Sequence, residues 1–413
     1  MNEHIVIISP YPPKEKLYGS TYSALASFAR NTIQSLQSKK TDIHITVIAD
    51  KITNSPSYSD GNIHTLRVWK RNSVVAYLHI FKALLSNWSA KKIMVESEWC
   101  LLGNSPYILS MMPVFLGILR MFGKEIYIVL HEVLLNFDDI APQLSIQERS
   151  LLSKFYNHAL KLYYFGLVLF SKKIIVLEKR FETLLHQYFG TSKTIFIPHG
   201  VDTKVKILNK NDAKKRLNID TNTFVIMHFG FFNWYKGTDI MVDLYKNTSP
   251  SKSLLIIGGG VSEIHKKDSV YKAFTEKITT SANMRTDIRI TGFIPDEKLH
   301  LYFSAADILI FPYRTFISSS GPLSLAFSYE RPVLLSNALQ EYADSPDIKN
   351  ALFESGIQAV DLFCDTEDKS FHEALVRSKK IREKLQLFSK TMKRFRSWDR
   401  VAEKYAHVLE LEN

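Results

Sequence analysis

Short runs of β-branched and aliphatic residues alternate with segments of helical spacing, and the chain runs through this alternation twice. His4-Ile5-Val6-Ile7-Ile8 is the first such run, closed by Ser9-Pro10-Tyr11-Pro12-Pro13. Thr21 to Leu36 follows with Leu25, Phe28, Ala29, Ile33 and Leu36 at helical spacing. Ile43 to Ala49, Ile93 to Val95, Ile126 to Leu130 and Ile174 to Leu177 continue the series. It restarts at Phe224 to Phe229, passes through a helical segment from Thr238 to Lys246, and returns at Ser253 to Ile257, Ile288 to Ile290, Ile308 to Ile310 and Pro332 to Leu335. Strands separated by helices pair in parallel, so the pattern predicts an α/β chain with two doubly wound, Rossmann-like sheets. A length of 413 residues suits two such domains. The strand Thr194 to Ile197 runs into a His-Gly turn and a polar stretch, which sets the joint near Pro198 to Lys210. The expected division is residues 1–200 plus a terminal helix, 397–413, against residues 201–396. Two sheets of this kind face each other across a cleft, and ligands bind beyond the carboxyl ends of the strands.

Composition removes several alternatives. Hydrophobic residues make up 46% and charged residues 23%, enough to bury sizeable cores. Two cysteines, Cys100 and Cys364, build neither a disulfide framework nor a four-thiolate zinc site. A reducing, cytoplasmic compartment is therefore expected. Met1-Asn2-Glu3-His4 lacks the basic start of a signal peptide, and the apolar run after it is short. Trp99 to Leu119 is uncharged, but Gly103, Asn104, Pro106 and Pro113 interrupt it. That argues for a loop and a shorter buried or interfacial helix rather than a transmembrane span. The net charge is +12, and residues 1–200 hold 22 Lys+Arg against 14 Asp+Glu. Such an excess attracts polyanions without choosing among them. No zinc-finger spacing or RNA-binding aromatic signature accompanies it, so nucleic acid is not an expected partner.

Two loops of the second half carry chemistry. Phe229-Gly230-Phe231-Phe232-Asn233-Trp234-Tyr235-Lys236-Gly237 is a strand, a loop and a Lys-Gly pair opening a helix. Lys236 offers a compact charge and the helix start adds partial positive charge, which together suit a phosphate. Ala306 to Arg314 leads into Ser318-Ser319-Ser320-Gly321-Pro322-Leu323-Ser324-Leu325-Ala326. There a Ser-Gly turn opens another helix and presents free backbone N–H groups. Gly258-Gly259-Gly260 lacks dinucleotide-loop spacing and reads as a turn beside the cleft.

With these loops, Ser9 to Pro13 before Gly19-Ser20, Leu130-His131-Glu132, Pro198-His199-Gly200-Val201-Asp202 and Gly292-Phe293-Ile294-Pro295 stand in the order found in retaining family-4 glycosyltransferases. Over nearly its whole length the chain resembles that family, whose GT-B fold is two Rossmann-like doubly wound domains facing across a cleft. The resemblance implies transfer of a hexosyl unit from a nucleotide-sugar to a glycan or lipid-linked hydroxyl, with retention and without metal or other cofactor. It implies catalytic roles for His131 and Lys236. Donor contacts would fall to Gly19, Gly230, Phe231, Gly292, Phe293, Ile294, Arg314, Ser319, Ser320, Gly321, Pro322 and Leu323. Acceptor contacts would fall to Ser20, Glu98 and Glu132. An anionic membrane surface is a further expected partner, with Tyr107 to Phe122 either docked on the inner face of the membrane or buried against the sheet. The chain departs from the family where two donor-loop glutamates are usual, since Ile317 and Leu325 stand there, and Phe231 replaces a usual arginine. Those departures keep two alternatives in view: a nucleotide-sugar-binding pseudo-enzyme and a GT-B-type epimerase.

Overall fold

The computed structural model describes residues 3–14, 24–98, 101–103, 105–144, 146–261 and 268–411. In the first half these are β1 (His4–Ile8), α1 (Ala24–Lys39), β2 (His44–Asp50), β3 (Tyr58–Asp60), β4 (Ile63–Trp69), α2 (Ala76–Leu85), β5 (Lys92–Ser97), α3 (Pro106–Met121), β6 (Glu125–Leu130), α4 (Leu151–Phe170), β7 (Lys173–Val176), α5 (Lys179–Phe189) and β8 (Thr194–Phe196). The second half holds α6 (Lys210–Arg216), β9 (Phe224–Phe229), α7 (Thr238–Thr248), β10 (Ser253–Gly258), α8 (Ser269–Asn283), β11 (Ile288–Gly292), α9 (Asp296–Ala305), β12 (Ile308–Phe311), α10 (Gly321–Ser328), β13 (Val333–Ser336), α11 (Pro346–Ser355), α12 (Ala359–Leu362), β14 (Phe363–Cys364), α13 (Asp368–Lys380), α14 (Arg382–Phe395) and α15 (Trp398–Val408).

The strands form two sheets, in the orders β3-β4-β2-β1-β5-β6-β7-β8 and β11-β10-β9-β12-β13-β14. Every pairing is parallel except β3 with β4. Parallel strands are covered on both faces, and the unbroken aliphatic runs of β1, β6 and β9 meet that demand. The last helix returns to the first sheet. Val401 and Tyr405 of α15 and Leu409 just after it pack with Ile5, Ile7, Phe28 and Ile33. Gly200 makes the return close: a Cβ there would lie 2.2 Å from the Trp398 indole. Val201 pairs with Ser397 in a parallel bridge beside it.

Two segments differ from the sequence expectation. β3, β4 and α2 were not anticipated. β4 alternates buried and half-buried side chains and includes Arg67, whose guanidinium is buried donating to the Tyr11, Asp50 and Pro12 carbonyls. Pro113 was expected to interrupt, yet it lies inside α3. Its ring fills the space over Gly166 of α4, where a Cβ would approach Pro113 Cβ to 2.6 Å. On helix α3, Ile108, Met112, Leu116 and Leu119 are buried, while Tyr107, Val114 and Met121 are exposed. Among the described residues, no helix is long and apolar enough to cross a membrane.

Candidate functional site

The loops at the carboxyl ends of the central strands of both sheets meet in one place. β6 ends in Leu130-His131-Glu132, and β12 leads through Tyr313 to the 317–320 loop. Two backbone hydrogen bonds join them: Val133 N–H donates to Ile317 O (3.0 Å) and Ser319 N–H donates to His131 O (3.0 Å), which makes Glu132 and Ser318 an antiparallel bridge. The apolar residue in place of the first usual glutamate has its own setting. Ile317 packs with Leu134, Phe137 and Leu160 of the first half. Ile317 is half-buried there, so an apolar side chain fits this contact between the halves.

His131 is held on both sides. Its Nε2 lies 2.8 Å from Glu96 Oε2, and the Glu96 side chain is fully buried on β5. Phe28 of α1 meets the imidazole edge-on at 4.4 Å, and also contacts His199 and Trp398. His199 Nδ1–H donates to Gly200 O (2.8 Å), and its Nε2 lies 3.7 Å from where a Gly321 Cβ would stand. Burial lowers the His199 pKa to about 4, with the nearby His131 acting in the same direction. A neutral imidazole therefore faces the start of α10.

Lys236 is the buried cation of the cleft. It is 8% exposed, and burial lowers its pKa to about 8, opposed by attraction to Glu98. A Cβ at Gly230 would meet Lys236 Nζ at 3.2 Å and Pro322 Cγ at 3.4 Å. The ammonium, the Gly230 backbone and the first turn of α10 thus share one spot. Glu98 and Glu132 lie close enough to the neighbouring Tyr235 to raise its pKa, after burial and Tyr313. Ser320 caps α10 by accepting from Leu323 N–H (3.2 Å), and the Tyr313 hydroxyl holds that cap at 2.8 Å. At the end of β11, Gly292 has φ +66° and its carbonyl accepts from Gly259 N–H (2.9 Å). Phe293 is exposed and Ile294 is buried beside Gly258. Phe231 is half-buried next to Gly230.

Three of the expected donor contacts have partners within the chain. Arg314 donates to both Asp239 oxygens (2.8 and 2.6 Å) and to Trp234 O (2.7 Å), so it braces the Lys236 loop. Ser319 spends its hydroxyl on Glu178 Oε1 (2.7 Å) as well as its amide on His131 O. The Leu323 amide is taken by Ser320, and Pro322 has none, which leaves Gly321 to offer its N–H at the helix start. Gly19 and Ser20 lie outside the described residues. Sequence reasoning missed Glu96 and Glu178. Both are carboxylates closing an apolar strand run, a position where burial is costly unless something pairs with them. That signal was available.

The comparisons agree with this architecture. Residues 209–343 match the family described as "Glycosyl transferases group 1". A "GDP-mannose:glycolipid 4-beta-D-mannosyltransferase" of Xanthomonas campestris pv. campestris is 27% identical over 109 residues, 26% of this chain and 29% of that protein. The match therefore spans under a third of the relative's length. Sucrose-phosphate synthase from Thermosynechococcus elongatus superposes with TM-score 0.73 at 16% identity, covering 99% of this chain and 98% of the other. Anabaena HepE, solved in complex with UDP-glucose, gives TM-score 0.65 at 14% identity, over 98% and 99% of the two chains. The chain has the two-sheet GT-B architecture of these glycosyltransferases, and its residues 209–343 match the group 1 glycosyl transferase family.

Proposed function

We propose that the chain is a glycosyltransferase that moves a hexosyl unit from a nucleotide-sugar to a hydroxyl of a glycan or lipid-linked acceptor. Residues 201–396 would hold the donor, and residues 1–200 with 397–413 the acceptor. The observation that carries this reading is Lys236, a buried ammonium beside Gly230 and the α10 start with the Glu98 carboxylate near it. Negative charge grows on the departing diphosphate, and a fixed cation and a helix N-terminus stabilise it there. Those groups supply what a divalent metal supplies elsewhere, so transfer is expected to proceed in a chelator. The glycolipid in the name of the Xanthomonas relative supports a lipid-linked acceptor. A place on the inner face of the membrane, as the family resemblance implies, belongs to the same reading.

Retention is the stereochemical outcome that the family resemblance implies. One observation favours the other outcome: His131 with the buried Glu96 behind it is a built acid–base pair. Such a pair can take the acceptor proton during direct displacement, which inverts the anomeric carbon. The test is a panel of nucleotide-sugars, GDP-mannose and UDP-glucose among them, with and without chelator and with the anomeric proton of the product read by NMR. Binding of a nucleotide-sugar without transfer or hydrolysis across the panel would reject an enzyme and leave the pseudo-enzyme.

A further inference from the structure

Helices α2, α3 and α4 cover one face of the first sheet side by side. The Tyr77 ring of α2 meets Phe115 of α3 at 5.3 Å, and the Tyr77 hydroxyl donates to Ile108 O (2.7 Å). Pro113 and Gly117 of α3 lie against Gly166 and Phe170 of α4. Their inner residues belong to the core. Their outer faces are also apolar, which a helix facing water does not need. On α3 the outward stripe runs Tyr107, Met111, Val114, Ile118, Met121, with Met121 87% exposed. On α4 it runs Leu151, Phe155, Leu162, Phe165, Leu169, with Leu151 85% exposed. Leu78 and Leu85 extend it onto α2. A contiguous apolar surface on this scale marks a contact site.

The charges select the partner. None of the three helices contains an aspartate or glutamate. Their charged side chains are Lys82, Arg120, Lys154 and Lys161, all exposed. Basic residues flanking an apolar stripe are the pattern of a helix lying in a lipid interface, where lysines meet anionic headgroups. The position suits the acceptor as well. α3 and α4 start after the carboxyl ends of β5 and β6, the strands that carry Glu98 and His131, so both stripes begin at the cleft.

We infer that the outer faces of α2, α3 and α4 form a surface that docks on an anionic phospholipid bilayer and brings the cleft to lipid-linked acceptors. The inference deepens the membrane part of the proposed function. The test is flotation of the full chain with vesicles of phosphatidylcholine alone and of phosphatidylcholine mixed equally with phosphatidylglycerol. The wild-type chain should float with the anionic vesicles at low salt. Lys154→Glu with Lys161→Glu should weaken that partition roughly tenfold or more. Val114→Ser with Phe165→Ser should abolish it, while nucleoside diphosphate binding stays unchanged because no altered residue touches the cleft. A chain that stays at the bottom with anionic vesicles, or variants that float as wild type, would overturn the surface. So would a dimer in light scattering that Phe165→Ser converts to monomer without changing flotation, because the face would then belong to a second copy. A chain that floats but transfers no sugar would refute the function and leave the surface standing. One that transfers sugar to a soluble acceptor but never floats would do the reverse.

Discussion

Lys236 joins two effects of opposite sign. Burial lowers its pKa from 10.5 to about 8, so the folded chain releases this proton earlier than the unfolded one. Between about pH 8 and pH 10.5 the unfolded state holds more protons, and this group makes the empty chain more stable as pH rises. Donor affinity should move the other way, because only the ammonium attracts a diphosphate. Titration calorimetry with a nucleoside diphosphate should show affinity falling above pH 8, by up to about tenfold per unit. Lys236→Gln should remove that limb and cut turnover by ~100-fold or more. An unchanged pH limb would show that another group binds the phosphates. His131 gives a second residue-scale expectation. Glu96→Gln keeps the shape but replaces an acceptor of the Nε2–H by an amide, so the tautomer and orientation of the ring are no longer fixed. The expected result is a fall in kcat with little change in KM and an altered pH–rate profile, smaller than the loss of ~100-fold or more in His131→Ala. Equal effects on KM alone would reduce Glu96 to a packing role.

The turns that join strand to helix shape the cleft at the scale of the element. Gly237 has φ +67°, and a Cβ there would lie 2.0 Å from the Pro312 carbonyl oxygen, where the Lys236 loop crosses the end of β12. Gly292 has a similar φ of +66° with open space around it. Gly237→Ala should therefore cost more than the 1–3 kcal/mol of order expected from strain alone, and weaken nucleotide binding with it. Gly292→Ala should cost roughly 1 kcal/mol. Denaturant midpoints of the two variants check the difference. These elements also separate what was legible from what was not. Aliphatic runs revealed β1, β6, β9 and β10 because strands buried on both faces need no polar alternation. Gly230 and Lys236-Gly237 were legible because a phosphate site demands those residue types in that order. β4 was hidden by its buried arginine, whereas α3 was legible from its apolar stretch despite Pro113, which the glycine of a neighbouring helix accommodates. Which hydroxyls and guanidinium groups were already occupied, as at Ser319 and Arg314, depends on residues distant in sequence, Glu178 and Asp239. No local pattern carries that.

At the scale of the molecule, the two halves are clamped by Glu178 at the start of α5. Its Oε1 accepts from Ser319 Oγ (2.7 Å) and the Tyr342 hydroxyl (3.1 Å), both from the second half. Its Oε2 lies 4.0 Å from Arg396, which is itself paired with Asp347 at 2.6 Å. Burial dominates and raises the Glu178 pKa from 4.5 to about 7, against the pull of Arg396. Between about pH 4.5 and pH 7 the folded chain holds a proton that the unfolded chain has lost. The contribution is thus fully present below pH 4.5 and fades as pH rises through 7. Above that, an ionised Glu178 is trapped between the halves with only part of its charge compensated, and separating them restores its hydration. Opening of the cleft should accordingly become easier as pH rises from about 4.5 to 7. Hydrogen exchange at the Ser319 and Val133 amides, which bond across the halves, reads this directly. After correction for the intrinsic pH dependence of exchange, protection should drop between about pH 4.5 and pH 7 in the wild-type chain and level off above it. In Glu178→Gln, which still accepts from Ser319 and Tyr342 but cannot ionise, it should stay level. A drop of the same size in Glu178→Gln would assign the pH response to other groups and leave Glu178 a static part of the contact.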